Sequence, residues 1–143
     1  MVCLGNICRS PLAEGILKSK VDGSKVFVDS AGTEGWHQGN PPDQRSIDVA
    51  KYHHIDIANQ RSRKFKASDF NEFDLILVMD KTNYIDIASK AESESDRQKI
   101  KLILDFSPNT YSEVPDPYYD GKNGFEFVYQ LLDEACEIIL SKI

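Results

Sequence analysis

The chain has no long hydrophobic run. Its longest apolar stretch, Leu75-Ile76-Leu77-Val78-Met79, falls far short of the roughly 20 residues that span a bilayer. Nothing near the start pairs a basic segment with an apolar one, so no secretion signal is expected. Cysteine is scarce and odd in number, 3 in 143 residues, which excludes a disulfide scaffold and points to a reducing, cytoplasmic setting. Positive charge is in deficit: 17 Lys and Arg against 23 Asp and Glu give a net charge of −6. Such a balance argues against partnership with nucleic acid or with an anionic membrane, while leaving room for one small positive site. The chain contains no Gly-x-x-x-x-Gly-Lys-Ser/Thr loop, so a nucleotide-type phosphate site is excluded. Metal-ligand spacing is also missing. His37 is isolated, His53 and His54 are adjacent, and Cys3 and Cys8 lack a second ligand pair, so neither metal nor cofactor is expected. There is no internal repeat, linker or low-complexity tract.

What is present is ordinary for a globular protein, with 41% hydrophobic and 28% charged residues, and the length suits one domain over residues 1–143. Short apolar runs alternate with stretches of helical periodicity. Lys25–Asp29 and Leu75–Met79 read as strands, and Ile100–Ile103 as a weaker one. Leu12, Ala13, Ile16 and Leu17 recur at helical spacing, with Ser10 as a cap and Pro11 in the first position. Further helices are predicted from Asp43 to Tyr52, from near Lys81 with Tyr84, Ile85, Ile87 and Ala88, and from Phe125 to Leu140. The inward stripe of the last is expected to include Phe127, Val128, Leu131, Leu132, Ala135, Ile138 and Ile139. Ser93–Asp96 reads as a loop, and the basic run Arg61–Lys66 as a solvated surface segment, with attraction of an anionic substrate as the alternative. Strands alternating with helices predict an open parallel α/β sheet covered on both faces, with its ligand beyond the carboxyl ends of the strands. Only Met1 and Val2 precede Cys3, so the first strand is either very short or begins upstream of this sequence.

The chemistry concentrates in Cys3-Leu4-Gly5-Asn6-Ile7-Cys8-Arg9-Ser10, followed by Pro11. A cysteine and an arginine framing five residues let a tight loop curl its N–H groups around a tetrahedral anion. Those amides, a helix N-terminus, the Arg9 guanidinium and the Ser10 hydroxyl all favour an ionised sulfur at Cys3. Arg9 offers paired planar donors that match two phosphoryl oxygens. Gly5 relieves crowding at the turn, and Asn6 tolerates left-handed backbone angles while bracing the loop with its amide. Sulfur attacking phosphorus then needs a proton donor for the departing oxygen. Asp116, stiffened by Pro115 and Pro117 and followed by Tyr118 and Tyr119, is the candidate. Asp120 competes with it but precedes Gly121 and reads as a turn residue. Trp36, the single tryptophan, lies in a glycine-rich loop and is either packed on the core or displayed as a contact.

The run Val2–Pro11 resembles the signature of the low-molecular-weight protein tyrosine phosphatases, and Asp116-Pro117-Tyr118-Tyr119 is similar to that family's acid motif. Asp29–Gly32, Gly39–Asp43 and Phe73–Asp80 add to a resemblance that covers nearly the whole chain. It implies a three-layer α/β sandwich with a four-stranded parallel sheet in the order 2-1-3-4. It implies a metal-independent phosphatase acting on phosphotyrosine in proteins, probed equally by aryl phosphates, with inorganic phosphate as product and inhibitor. Cys3 is then nucleophile, Arg9 the phosphate clamp, Leu4, Gly5, Asn6, Ile7, Cys8 and Ser10 the phosphate loop, and Asp116 acid and then base. Trp36, Tyr118 and Tyr119 flank the aromatic ring of the substrate. The resemblance also implies a reversible Cys3–Cys8 disulfide under oxidation, and a monomer. Asn59 departs from it, standing where many members carry a histidine that braces the loop. Two rival activities on related folds are weighed here: arsenate reduction, which needs relay cysteines where only Cys136 remains, and arginine phosphatase activity, disfavoured by Ile7 where a threonine is expected. A non-catalytic phosphate-binding module is the rival of another class, disfavoured because Cys3 and Asp116 are both present.

Overall fold

The computed structural model describes residues 1–107 and 111–143. Four short strands, β1 (Val2–Cys3), β2 (Ala31–Gly32), β3 (Ile76–Val78) and β4 (Ile100–Leu102), form one sheet in the order β2-β1-β3-β4. All three pairings are parallel. This is the order and direction expected from the family resemblance. Helices connect the strands: α1 (Arg9–Lys20), α2 (Gln44–Tyr52), α3 (Asp69–Glu72), α4 (Lys81–Ala88) and α5 (Glu94–Gln98), with α6 (Lys122–Leu140) closing the chain. A short 3-10 turn, Ile103–Phe106, follows β4.

Side chains alternate across the sheet, and each face has its own core. Cys3, Leu77 and Met79 pack with Leu12, Ala13 and Ile16 of α1 and Val128, Leu132 and Ala135 of α6. Val2, Ile76 and Val78 face the other way, against Phe65, Phe70 of α3 and Ile87 of α4. Helix α1 is buried along its length from Arg9 to Leu17 because α6 and α2 cover the side turned away from the sheet. Close packing leaves no room at Gly15, where an added Cβ would lie 2.4 Å from Ile57 Cγ2.

Several expectations need correction. Residues 25–29 carry no strand ladder; β2 is confined to Ala31–Gly32, because β1 offers only Val2 and Cys3 as partners. Ser10 does not cap α1: the helix starts at Arg9 after Cys8, and the Ser10 side chain is already engaged inside the loop. Ser93–Asp96 is not a loop, since Ser93 caps α5 by accepting the Asp96 N–H. In α6, Phe127 lies outside the buried stripe at 39% exposure and Ile138 is half-buried, while Tyr129 and Cys136 are buried. In α4, Ile85 is exposed, and the buried positions are Asn83 and Ile87. The apolar periodicity marks each helix, but the covered arc depends on which neighbour lies over it. No helix among the described residues is long and apolar enough to cross a membrane.

Candidate active site

The carboxyl end of β1 runs into the loop Leu4–Cys8, which delivers the chain to the N-terminus of α1. Parallel sheets place their ligands there, where β1 is flanked by strands reached in opposite directions. A cleft of about 240 Å³ opens above the loop. Cys3 and Arg9 lie at its base, and Trp36, His37, Asp116, Tyr118 and Tyr119 form its walls.

The loop conformation depends on Asn6, which sits at φ +56° with its side chain buried. Its Oδ1 accepts the Arg63 N–H at 3.0 Å, which orients the amide. Its Nδ2 then donates to Ser10 Oγ at 2.7 Å and to Ser30 Oγ at 2.9 Å. Ser30 in turn donates to Glu14 Oε1 at 2.6 Å, and the other oxygen of Glu14 accepts from Lys18. Ser10 Oγ, which accepts from Asn6, lies 3.1 Å from the Cys3 sulfur, where either atom can donate, and its hydrogen has the Ala31 carbonyl at 3.5 Å as a longer second acceptor. The loop is held from outside as well. Ser62 Oγ donates to the Gly5 carbonyl, the Asp43 N–H to the Ile7 carbonyl, and Ser46 Oγ to the Cys8 carbonyl.

Arg9 is buried at 3% exposure. Its Nη1 donates to Asp80 Oδ2 at 2.7 Å and to the Val114 carbonyl at 3.0 Å. Its Nη2 lies 3.7 Å from Asp116 Oδ2. Burial acts to weaken the guanidinium as a base, but Cys3, Asp80 and Asp116 more than offset this and keep it charged. Burial, with the Asp43, Cys3 and Asp116 charges, pushes the Cys8 thiol up to about 12, so it stays neutral at physiological pH. Cys136 is likewise driven to about 12, chiefly by burial.

The structure therefore brings Cys3, Leu4, Gly5, Ile7, Cys8, Arg9, Asp116, Trp36, Tyr118 and Tyr119 to one cleft, while Asn6 and Ser10 are buried behind the loop and do not line it. Trp36 is displayed rather than packed, at 69% exposure, and Tyr119 is 94% exposed. Asp120 does not line the cleft; its carbonyl serves Arg45. Asn59 is exposed and lines a separate shallow cavity, so it takes no part in bracing the loop. That task falls to Ser62 and Arg63. The basic run is thus partly structural, with Arg63 paired to Asp29 and Asp69. All three cysteines are free thiols.

Asp80, Ser30, Glu14 and His37 were not anticipated. Asp80 was findable: it follows the Leu75–Met79 run at the end of a parallel strand and precedes a helix, where both a ligand and an N-cap belong. His37 packs over Gly5, where a Cβ would meet its Cδ2 at 3.0 Å, and no local pattern announces that contact.

Comparison with known proteins agrees with this geometry. A family model described as "Low molecular weight phosphotyrosine protein phosphatase" matches residues 1–143. A low molecular weight phosphotyrosine protein phosphatase of Schizosaccharomyces pombe is 40% identical, over 98% of this chain and 93% of its own length. The human protein of the same description is 38% identical, over 99% of this chain and 92% of its own length. Among solved structures, a protein tyrosine phosphatase from Entamoeba histolytica superimposes with a TM-score of 0.93 at 40% identity, covering 99% of this chain and 92% of that one.

Proposed function

Since the chain belongs to the low-molecular-weight phosphotyrosine protein phosphatase family and is a protein-tyrosine phosphatase, we propose that Cys3, Arg9 and Asp116 carry its reaction, within a single catalytic domain over residues 1–143. The Cys3 sulfur attacks phosphorus in line, and the bond from phosphorus to the tyrosine oxygen breaks as Asp116 gives that oxygen a proton. Asp116 then takes a proton from water, whose oxygen displaces the sulfur and releases inorganic phosphate. The charge on the transferring group is met by loop amides and by the Arg9 edge not bonded to Asp80 and Val114. Trp36, Tyr118 and Tyr119 offer aromatic surface for the substrate ring, and Ile7 adds an apolar contact at the cleft floor.

The observation that carries this reading is the Ser10 hydroxyl at 3.1 Å from the Cys3 sulfur, held there by the Asn6 amide, so that it is the donor once the sulfur is ionised and has no hydrogen of its own to give. A hydroxyl so oriented stabilises the thiolate before attack, and again when the sulfur leaves as thiolate from the phosphoenzyme. Released phosphate is the natural competitor for the same loop. Three free, buried cysteines suit a reducing compartment such as the cytoplasm, and nothing in the site requires a second copy of the chain. Arsenate reduction loses ground, because Cys136 lies fully buried in α6 with a thiol near 12, poorly placed to relay a disulfide.

The test is a rapidly quenched reaction with an aryl phosphate, in the presence of EDTA, read by mass spectrometry. A phosphoryl group is expected on Cys3, with turnover lost in Cys3→Ser. Product formation with no tag on Cys3 would overturn the assignment.

A further inference from the structure

The acid segment is anchored from one side by Arg45, a residue outside the loop, the acid motif and the aromatic walls. Arg45 opens α2. Its own N–H and its Nε donate to Asp43 Oδ1 at 2.9 and 3.0 Å, and its Nη2 to Asp43 Oδ2 at 2.9 Å. Asp43 is at the same time the N-cap of α2, and its N–H holds the Ile7 carbonyl of the phosphate loop. The guanidinium is thereby fixed to the loop that holds the nucleophile. Its far side reaches the acid segment. Nη1 donates to the Asp120 carbonyl at 3.1 Å, and the group lies over the rings of Tyr118, at 5.4 Å, and Phe125, at 4.6 Å. Tyr118 in turn donates its N–H to Asp116 Oδ1 at 3.0 Å, which leaves Oδ2 as the oxygen nearest Arg9.

We infer that Arg45 is a positioning residue for the general acid: through Tyr118 and Asp120 it sets the distance of the Asp116 carboxyl from the phosphate loop. The inference rests on the reading of Asp116 as acid. The Asp116 side chain is 46% exposed, and its Oδ1 is held by the N–H of Tyr118 on its own segment, so its placement follows that segment. A planar fork suits this work, because one edge can grip a carboxylate while the other donates to a carbonyl and the faces stack on rings. Lysine supplies the charge without the fork.

The experiment measures kcat/KM of Arg45→Met with phenyl phosphate, a poor leaving group, and with 4-nitrophenyl phosphate, a good one. The inhibition constant of inorganic phosphate is measured alongside. Misplacing an acid forfeits part of its 10²–10⁴-fold contribution, so phenyl phosphate turnover is expected to fall about tenfold and 4-nitrophenyl phosphate turnover by less than about threefold. Phosphate inhibition should be unchanged. In an Asp116→Asn background the Arg45 change should cost phenyl phosphate turnover nothing more, because the group it positions is gone. Equal losses on both substrates, or a full further loss in the double variant, would overturn the inference. Arg45→Lys, which keeps the charge for folding, should lose about threefold on phenyl phosphate; an unchanged rate would equally overturn it. If Asp116→Asn alone shows no dependence on leaving group, the acid assignment itself fails, a result distinct from failure of Arg45.

Discussion

Replacing Asp80 separates two tasks that one carboxylate performs. Its Oδ2 accepts from Arg9 Nη1 at 2.7 Å, with the arginine 3% and the aspartate 21% exposed. Its Oδ1 accepts the Asn83 N–H at 2.8 Å, while Asn83 Oδ1 accepts the Asp80 N–H, a reciprocal cap on α4. Asparagine caps a helix as well as aspartate does, so Asp80→Asn keeps the second task and loses the first. What it loses is the counter-charge of a buried guanidinium, now facing an amide that can turn an N–H donor toward it. Breaking a buried pair costs about 3–5 kcal/mol; the partial exposure of Asp80 and the neighbouring anions reduce this to about 2 kcal/mol. Asp80→Ala adds the lost cap, about 1 kcal/mol, for about 3 kcal/mol in all. With a urea slope near 2 kcal/mol per molar, the midpoints should fall by about 1 M and about 1.5 M. Arg9 keeps the Val114 carbonyl but loses the bond that sets the plane of its fork. If about 2 kcal/mol of that loss also appears in the transition state, kcat/KM falls roughly 30-fold in both variants. Urea titration and aryl phosphate kinetics on the same preparations check this. Wild-type kcat/KM in Asp80→Asn, or midpoints unchanged by either substitution, would refute the view that Asp80 sets Arg9.

Gly32→Ala should destabilise by about 1–3 kcal/mol in thermal melts, because its Cβ would sit 2.8 Å from the Glu34 carbonyl and 2.9 Å from the Leu4 carbonyl, backbone atoms that cannot swing aside. Gly23→Ala, with nothing within 4 Å, is the control expected to be near neutral. Prolonged peroxide should inactivate the wild type reversibly if a Cys3 sulfenic acid condenses with the Cys8 thiol, releasing water and forming a disulfide that added thiol reduces. Cys8→Ser should then pass to permanent loss, and full thiol recovery of that variant would refute the pairing. Stability should also fall at alkaline pH. The folded state keeps the Cys8 and Cys136 protons up to about 12, whereas an unfolded chain loses them from about 9, so stability is complete below 9 and declines as pH rises toward 12. Cys136→Ala should make urea midpoints less steep in pH across that window, and an unchanged slope would refute its share.

That the Cys3 loop and the Asp116 segment share one cleft was legible because each is written in consecutive residues. Cys3 to Ser10 must all lie on one turn, and Asp116 sits between prolines beside two tyrosines. The residues that hold them were not legible because they come from elsewhere. Ser30 is 24 positions from the Asn6 amide it receives, Arg63 is 57 from Asn6, and Asp80 is 71 from Arg9. Such partners have no spacing rule; they meet because β1, β2 and β3 are neighbours in the sheet. The same limit explains the strand errors. Lys25–Asp29 has strand composition, yet a ladder needs a partner of matching length and β1 offers only Val2 and Cys3. Helix ends were read better where a capping side chain marks them, as Asp43 does for α2, than where tertiary contacts recruit the expected cap, as at Ser10.

The two carboxylates beside Arg9 are held with unequal firmness, and that inequality suits the reaction proposed for Cys3, Arg9 and Asp116. Asp80 binds Nη1 at 2.7 Å, is tied into the cap of α4, and has no freedom to leave. Asp116 stands 3.7 Å from Nη2, beyond hydrogen-bond length, on a half-exposed segment. An arriving phosphate monoester carries more charge than a carboxylate and offers two oxygens in a plane, so it takes the Nη2 edge and leaves the Asp80 bond intact. The displaced carboxyl keeps its other oxygen on the Tyr118 N–H and so stays beside the cleft. On this view one arginine does two things in sequence. Before binding it gathers the acid toward the loop, and on binding it exchanges the acid for substrate, so that clamp and proton donor come into register in a single step.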